Sequence, residues 1–161
     1  MIEEIFIPSQ VSKICEDAFL YCTNLKKVEI PPNSNLQTIV PYSFSSTSIE
    51  EIFIPSSVIK ICEGAFSYCE YLTKVEIQLN SNLQTNGKHA FYNTEIEELY
   101  FPPSLKELKE GWCTGANKLT KIIISPIQGQ FTFKEDKYLL GKSEISKEEF
   151  DNLLFVRRDI K

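Results

Sequence analysis

The stretch "IEEIFIPSQVSKICEDAFLYCTNL" that begins at Ile2 returns at Ile49 as "IEEIFIPSSVIKICEGAFSYCEYL". An internal period constrains a fold more than any local motif, because each copy must bury its apolar face against the next. Aligned without gaps, residues 2–48 and 49–95 share 30 identities in 47 positions, and a third copy opens at Ile96 with "IEELYFPPSL". Each block divides again. "LKKVEIPPNSNLQTIVPYSF" from Leu25 and "LTKVEIQLNSNLQTNGKHAF" from Leu72 carry the skeleton of the "IEEIFIP" halves, so the unit is 23 or 24 residues. Its starts fall at Ile2, Leu25, Ile49, Leu72, Ile96 and Leu119.

Every unit has an aliphatic residue at its first position and an aliphatic or aromatic one at its fourth and sixth. In a short strand alternate side chains face opposite sides, so the fourth and sixth positions point into a core. Ile5 and Ile7, Val28 and Ile30, Ile52 and Ile54, Val75 and Ile77, Leu99 and Phe101, and Ile122 and Ile124 are the expected pairs. Pro8, Pro31, Pro55 and Pro102 end these strands where a missing N–H costs little. A turn then leads into "VSKICEDAF" or "VIKICEGAF", whose Val11, Ile14, Val58 and Ile61 fill the interior. The Ala-Phe pair sits on an irregular or single-turn helical return. Equivalent residues of adjacent units are neighbours, so Phe19, Phe44, Phe66 and Phe91 are expected to stack as a ladder.

This is the L-x-x-L-x-L signature of leucine-rich repeats. The composite pattern at residues 49–71, with its Pro, Ala-Phe and Cys positions, resembles the BspA-like (Treponema-type) leucine-rich repeats, and the resemblance runs from residue 2 to about 124. It implies a leucine-rich repeat solenoid with a parallel β-sheet on the concave face and irregular or short helical returns on the convex face. It also implies a cell-surface protein of the adhesion type. The fifth unit departs from the pattern with "KEGWCTGANKL". The array expected on this basis is residues 1–124, about five and a half units, followed by a non-repeat segment at 125–161.

Chemistry is thinly represented. Five cysteines are an odd number: Cys15 and Cys62 share one repeat position, Cys22 and Cys69 another, and Cys113 stands alone. Equivalent cysteines two units apart lie roughly 10 Å from one another, beyond disulfide reach. Buried free thiols are therefore expected. No C-x-x-C pair is present and His89 is the only histidine, which argues against zinc and against a Cys/His or Ser/His centre. No phosphate-binding glycine loop appears. The reading is of a chain that is not an enzyme and needs no cofactor. A net charge of -5 gives no reason to expect nucleic acid, and no run of eighteen apolar residues predicts membrane insertion. Met1 leads into "IEEIFIP" without the regions of a signal peptide, and no Asn-x-Ser/Thr sequon occurs.

The outward positions of the strands are the candidate contact surface, since solenoids commonly bind on the concave face. Position three reads Glu4, Lys27, Glu51, Lys74, Glu98 and Lys121, acid and base in strict alternation. Opposite charges on neighbouring strands help and like charges hurt, so this row serves stacking register, ligand recognition, or both. Position five reads Phe6, Glu29, Phe53, Glu76, Tyr100 and Ile123. Phe6, Phe53 and Tyr100 between carboxylates form a contact patch for a protein or glycoprotein, because aromatics dominate interface hot spots. Sheets also favour aromatics for their own sake.

After "LTKIIISP" the rhythm stops. "FTFKEDKYLLG" predicts a hairpin with "KED" at its turn, and Ser146 with Glu149 predicts a capped helix over "KEEFDNLLFV". This segment caps the array or lies between repeat blocks. Met1 supplies no cap, so the first strand is expected as an exposed edge, and a homo-oligomer through that N-terminal repeat edge follows. Three functions stay open: a surface binding module, an intracellular interaction scaffold, and a structural protein that assembles end to end.

Overall fold

A computed structural model describes residues 2–124, 130–134, 138–142 and 152–156. The repeat array runs through ten strands in chain order: β1 (Glu4–Phe6), β2 (Lys27–Glu29), β3 (Thr38–Ile39), β4 (Glu51–Ile54), β5 (Lys60–Ile61), β6 (Lys74–Ile77), β7 (Thr85–Asn86), β8 (Glu98–Phe101), β9 (Glu107–Leu108) and β10 (Lys121–Ile124). The strands that open each unit pair in parallel, as the sheet β1-β2-β4-β6 and the pair β8-β10. They form the concave face of a leucine-rich repeat solenoid.

Alternation along these strands does what the pattern requires. Val28, Ile30, Ile52, Ile54, Val75, Ile77, Leu99, Phe101 and Ile122 are buried, and so are the unit-opening residues from Leu25 to Leu119. The first turn has a neighbour on one side only, so Ile5 is half-buried and Ile2 is exposed. Phe19, Phe44, Phe66 and Phe91 stack face to face, with centroids 5.2, 5.5 and 5.5 Å apart and rings within 7° of parallel. In the fifth unit Trp112 replaces the phenylalanine and turns its ring edge-on to Phe101 at 5.4 Å.

The returns contain no helix among the described residues, so of the two forms expected, irregular or short helical, the helical one is not shown. Two features take its place. The first is a second parallel sheet of two-residue strands, β3-β5-β7-β9. The second is a pair of left-handed backbone ladders. Asp17, Tyr42, Gly64, His89 and Gly111 have φ between 52° and 64°, and Tyr21, Ser46, Tyr68, Asn93 and Gly115 between 52° and 81°. A left-handed residue every fourth position breaks a right-handed helix and turns its N–H toward the next unit. Tyr42, Gly64, Tyr21, Ser46 and Tyr68 accordingly donate to carbonyl oxygens one unit on, at 2.7 to 3.1 Å. Each non-glycine residue held this way costs roughly 1–2 kcal/mol, offset by a ladder bond that would otherwise be missing. Buried hydroxyls close the remaining gaps: Ser43, Ser67, Thr47 and Thr94 each donate to a carbonyl oxygen three residues back.

Thiols follow depth in the stack, not repeat position alone. Cys62 and Cys69 are buried, Cys22 and Cys113 half-buried, and Cys15 exposed. Five buried thiols were the expectation; Cys22 and Cys113 fall short of it and Cys15 departs the most. All five are free. The Cys69 sulfur donates to the Phe44 carbonyl at 3.1 Å, and burial pushes its thiol up from 9.0 to about 11 against the opposing bond to Thr47. A thiol reagent without denaturant should therefore modify Cys15 first and leave Cys62 and Cys69 until the chain unfolds; prompt loss of all five would show an open core. The sign for stability follows. Between pH 9 and 11 the unfolded Cys69 loses its proton while the native one keeps it, so stability falls as pH rises through that window. Cys69→Thr, the residue its ladder carries at 47 and 94, should flatten the slope measured by denaturation at each pH.

Beyond the array, β11 (Phe131–Lys134), β12 (Tyr138–Gly141) and β13 (Asn152–Val156) make an antiparallel sheet in the order β11-β12-β13. The hairpin expected over residues 131–141 is present, Phe131 opposite Gly141, with residues 135 and 136 of its "KED" turn outside the described residues. The helix expected over residues 147–156 is not formed at its C-terminal half, where Asn152–Val156 is a strand. Ser146 and Glu149 lie outside the described residues. "NLLFV" has a choice of partners, and the free edge of β12 wins: Leu139 pairs with Phe155 and Leu140 with Leu153. Leu139 is fully buried in the same core as the repeats, with Phe131, Leu154 and Phe155 packed against it.

Candidate functional site

Each unit places two outward side chains on the concave sheet, three and five residues into the repeat. The register sets position three in one row. Glu4 pairs across to Lys27, Lys27 to Glu51, Glu51 to Lys74, and Glu98 to Lys121. All six are exposed. Lys121 bonds Glu98 at 3.0 Å, whereas Lys74 lies nearer to Glu76 of its own strand, at 3.2 Å, than to Glu51, at 4.0 Å. More than half exposed, such pairs each contribute well under ~1 kcal/mol. The row follows the strand register and leaves its charges accessible.

Position five forms the second row. Phe6 pairs with Glu29, Phe53 with Glu76, and Tyr100 with Ile123. Phe6 is 55% exposed, while Phe53 and Tyr100 are half-buried. Those two rings do more than lie on the sheet. Phe53 lines a hollow of about 210 Å³ with Lys27, Glu29, Glu51, Lys74 and Glu76. Tyr100 lines one of about 400 Å³ with Lys74, Glu76, Glu98, Lys121 and Ile123. Lys74 and Glu76 belong to both, so the hollows lie side by side across β6, each with one aromatic ring and with side chains of both charges. Phe6 and Glu4 line neither hollow.

This surface offers apolar contact and charges of both signs, and among the described residues it sets no cysteine or histidine beside them. Among the described residues no group of three or more His, Cys, Asp or Glu is placed to hold a metal ion, and no helix is long and apolar enough to cross a membrane. His89 lies edge-on to Tyr92 at 5.3 Å, in a return and away from the concave sheet.

Sequence reasoning passed over a set of exposed tyrosines on the returns, namely Tyr21, Tyr42, Tyr68 and Tyr71. Tyr42 donates to the Glu63 carboxylate at 3.1 Å, and Tyr68 packs edge-on to Tyr92 at 5.1 Å. A signal existed: "FLYC" and "FSYC" put Tyr21 and Tyr68 at one repeat position.

Residues 1–135 match the family model described as BspA type leucine rich repeat region, in six copies. Among solved structures, that of the pneumococcal vaccine antigen PcpA is similar at a TM-score of 0.79 and 27% identity, over 87% of this chain and 34% of that one. A leucine rich cell surface protein from Faecalibacterium prausnitzii A2-165 gives 0.61 at 20% identity, over 88% of this chain and 43% of that one. A leucine-rich repeat protein from Eubacterium ventriosum ATCC 27560 gives 0.58 at 19%, over 85% and 41% respectively. The last two identities speak to fold alone. The chain spans about a third of the pneumococcal protein's length. Comparison with curated proteins found no match.

Proposed function

The chain belongs to the BspA-type leucine-rich repeat family, and from that premise we propose a non-enzymatic module that binds a protein or glycoprotein through its concave sheet, in a surface protein of the adhesion type. One observation carries the reading: Phe53 and Tyr100 line two adjacent hollows that share Lys74 and Glu76. Two apolar anchors about two strand spacings apart, or ~10 Å, ringed by acid and base, suit a partner that presents two side chains and charges of both signs. Glu4, Lys27, Glu29, Glu51, Glu98 and Lys121 are the rim, and Phe6 extends the aromatic row. The likeness to a vaccine antigen supports placing this face outside a cell. We read residues 125–161 as a cap, supported by Leu139 entering the repeat core.

A free, exposed Cys15 favours the second reading, an intracellular scaffold using the same face, because exposed thiols persist in reducing compartments. Antibody labelling of intact against permeabilised cells separates the two.

The test of the site is affinity capture with the wild-type chain beside a Phe6→Ala, Phe53→Ala, Tyr100→Ala variant. Hot-spot truncation should weaken capture by at least ~30-fold, about 2 kcal/mol. Phe53 and Tyr100 are half-buried, so the unfolding midpoint should fall modestly, by about 1 kcal/mol per ring. Undiminished capture by a folded triple variant would remove the concave sheet from recognition.

A further inference from the structure

The edge of the solenoid where the returns meet the strand openings carries a second surface, independent of the concave hollows. Tyr21, Tyr68 and Tyr71 are 71%, 47% and 62% exposed there, and with Glu70 they line an open depression of about 630 Å³. Thr23, Ser46, Thr47 and Ser48 line the same space. Among the described residues no lysine, arginine or histidine lines it.

The fold does not ask for these rings. Tyr21 and Tyr68 occupy a left-handed ladder position filled elsewhere by Ser46, Asn93 and Gly115, residues that the backbone there accepts more readily. The residue before each strand opening is Tyr71 in one unit and Glu95 and Lys118 in the next two, where an ion pair at 2.7 Å covers the edge instead. Tyr21 and Tyr68 are two turns apart, about 10 Å, with Ser46 between. Tyr92 braces the Tyr68 ring edge-on. Ser48 donates to the Thr23 carbonyl at 2.7 Å, which leaves its oxygen lone pairs able to accept.

We propose that this depression binds a neutral carbohydrate. A pyranose ring has an apolar C–H face and an edge of hydroxyls that both donate and accept. The tyrosine faces match the first; the serine and threonine hydroxyls and the Glu70 carboxylate match the second. The left-handed ladder beneath the rings offers a peptide strand no donors, because Tyr21, Ser46 and Tyr68 have committed their N–H groups to Ser45, Ser67 and Tyr92 at 3.0, 2.9 and 2.7 Å. An anionic ligand meets a carboxylate and, among the described residues, no cation. A quaternary ammonium finds the rings and leaves the hydroxyls without partners.

Saturation-transfer NMR on the full chain tests this with lactose, cellobiose, chitobiose and mannobiose, beside 3′-sialyllactose and tetramethylammonium. Transfer to the ring C–H protons of at least one neutral disaccharide is expected. It should weaken roughly tenfold in a Tyr21→Asn, Tyr68→Asn variant, which keeps the fold because asparagine already serves that ladder at position 93. Glu70→Gln should raise 3′-sialyllactose toward the response of lactose. Absence of transfer to all four neutral sugars overturns the proposal, as does transfer undiminished by the tyrosine substitutions. Tetramethylammonium bound without sugar would make the depression a cation cage. Loss of capture of a protein partner in the tyrosine variant, with sugars silent, would make it part of a protein interface.

Discussion

Truncating Phe66 to alanine is expected to cost about 3–5 kcal/mol, a large part of what a domain of this size has to lose. Phe66 is fully buried and is stacked on both faces, by Phe44 and by Phe91, each at 5.5 Å. Its removal opens a cavity and breaks two ring contacts worth about 0.5–1.5 kcal/mol apiece. Neighbouring units cannot slide in to fill the gap, because the backbone N–H groups of Phe44 and Phe66 bond Ala65 and Ala90 of the next turn at 3.0 and 2.9 Å. Phe19→Ala is the internal control. That ring is half-buried and has one stacking neighbour, Phe44 at 5.2 Å, so its loss should cost about half as much. Urea midpoints of the two variants at constant slope measure the difference. Equal costs at 19 and 66 would mean that the ladder is not what couples one unit to the next.

The Phe ladder and the concave rows were legible in the sequence because both repeat with the unit. A side chain recurring every 23 or 24 residues has its own kind as a neighbour, whatever the details of the path between. Charge alternation at Glu4, Lys27, Glu51 and Lys74 was legible for the same reason, and it appears as strand pairing. The returns were harder. Their conformation depends on left-handed residues such as Tyr42 and His89, which carry no glycine or asparagine to announce them. The strand at Asn152–Val156 was misread as helix because a short apolar run takes its form from the available partner, here the edge of β12. That Phe53 and Tyr100 sit in hollows, while Phe6 does not, depends on where Lys74 and Glu76 reach between strands. One strand read alone does not contain that.

Asn86→Leu should stabilise the chain by about 2 kcal/mol or more. The second parallel sheet carries one row of inward residues, Ile39, Ile61, Asn86 and Leu108, each paired to the next in register. Three are aliphatic; the fourth is an amide with no exposure at all. Neither its oxygen nor its nitrogen has a hydrogen-bond partner, and the indole N–H of Trp112, in the return that follows, is likewise buried without one. A buried donor or acceptor left unpaired costs about 1–3 kcal/mol, so the amide weakens the point where the fourth and fifth units meet. Leucine has the same branching and heavy-atom count as asparagine, which keeps overpacking small, and it matches Leu108 one turn on. The adjacent Gly87 limits the choice of companion mutation. A Cβ added there would lie 2.5 Å from the Cys62 carbonyl carbon, so restoring the Ile39-Val40 dipeptide of the earlier unit at 86 and 87 should destabilise where Asn86→Leu alone stabilises. Calorimetry distinguishes the outcomes, since 2 kcal/mol corresponds to roughly 4–8 °C for a chain of this length. A lower melting temperature for Asn86→Leu would mean that the amide is held by a partner whose loss outweighs the apolar gain.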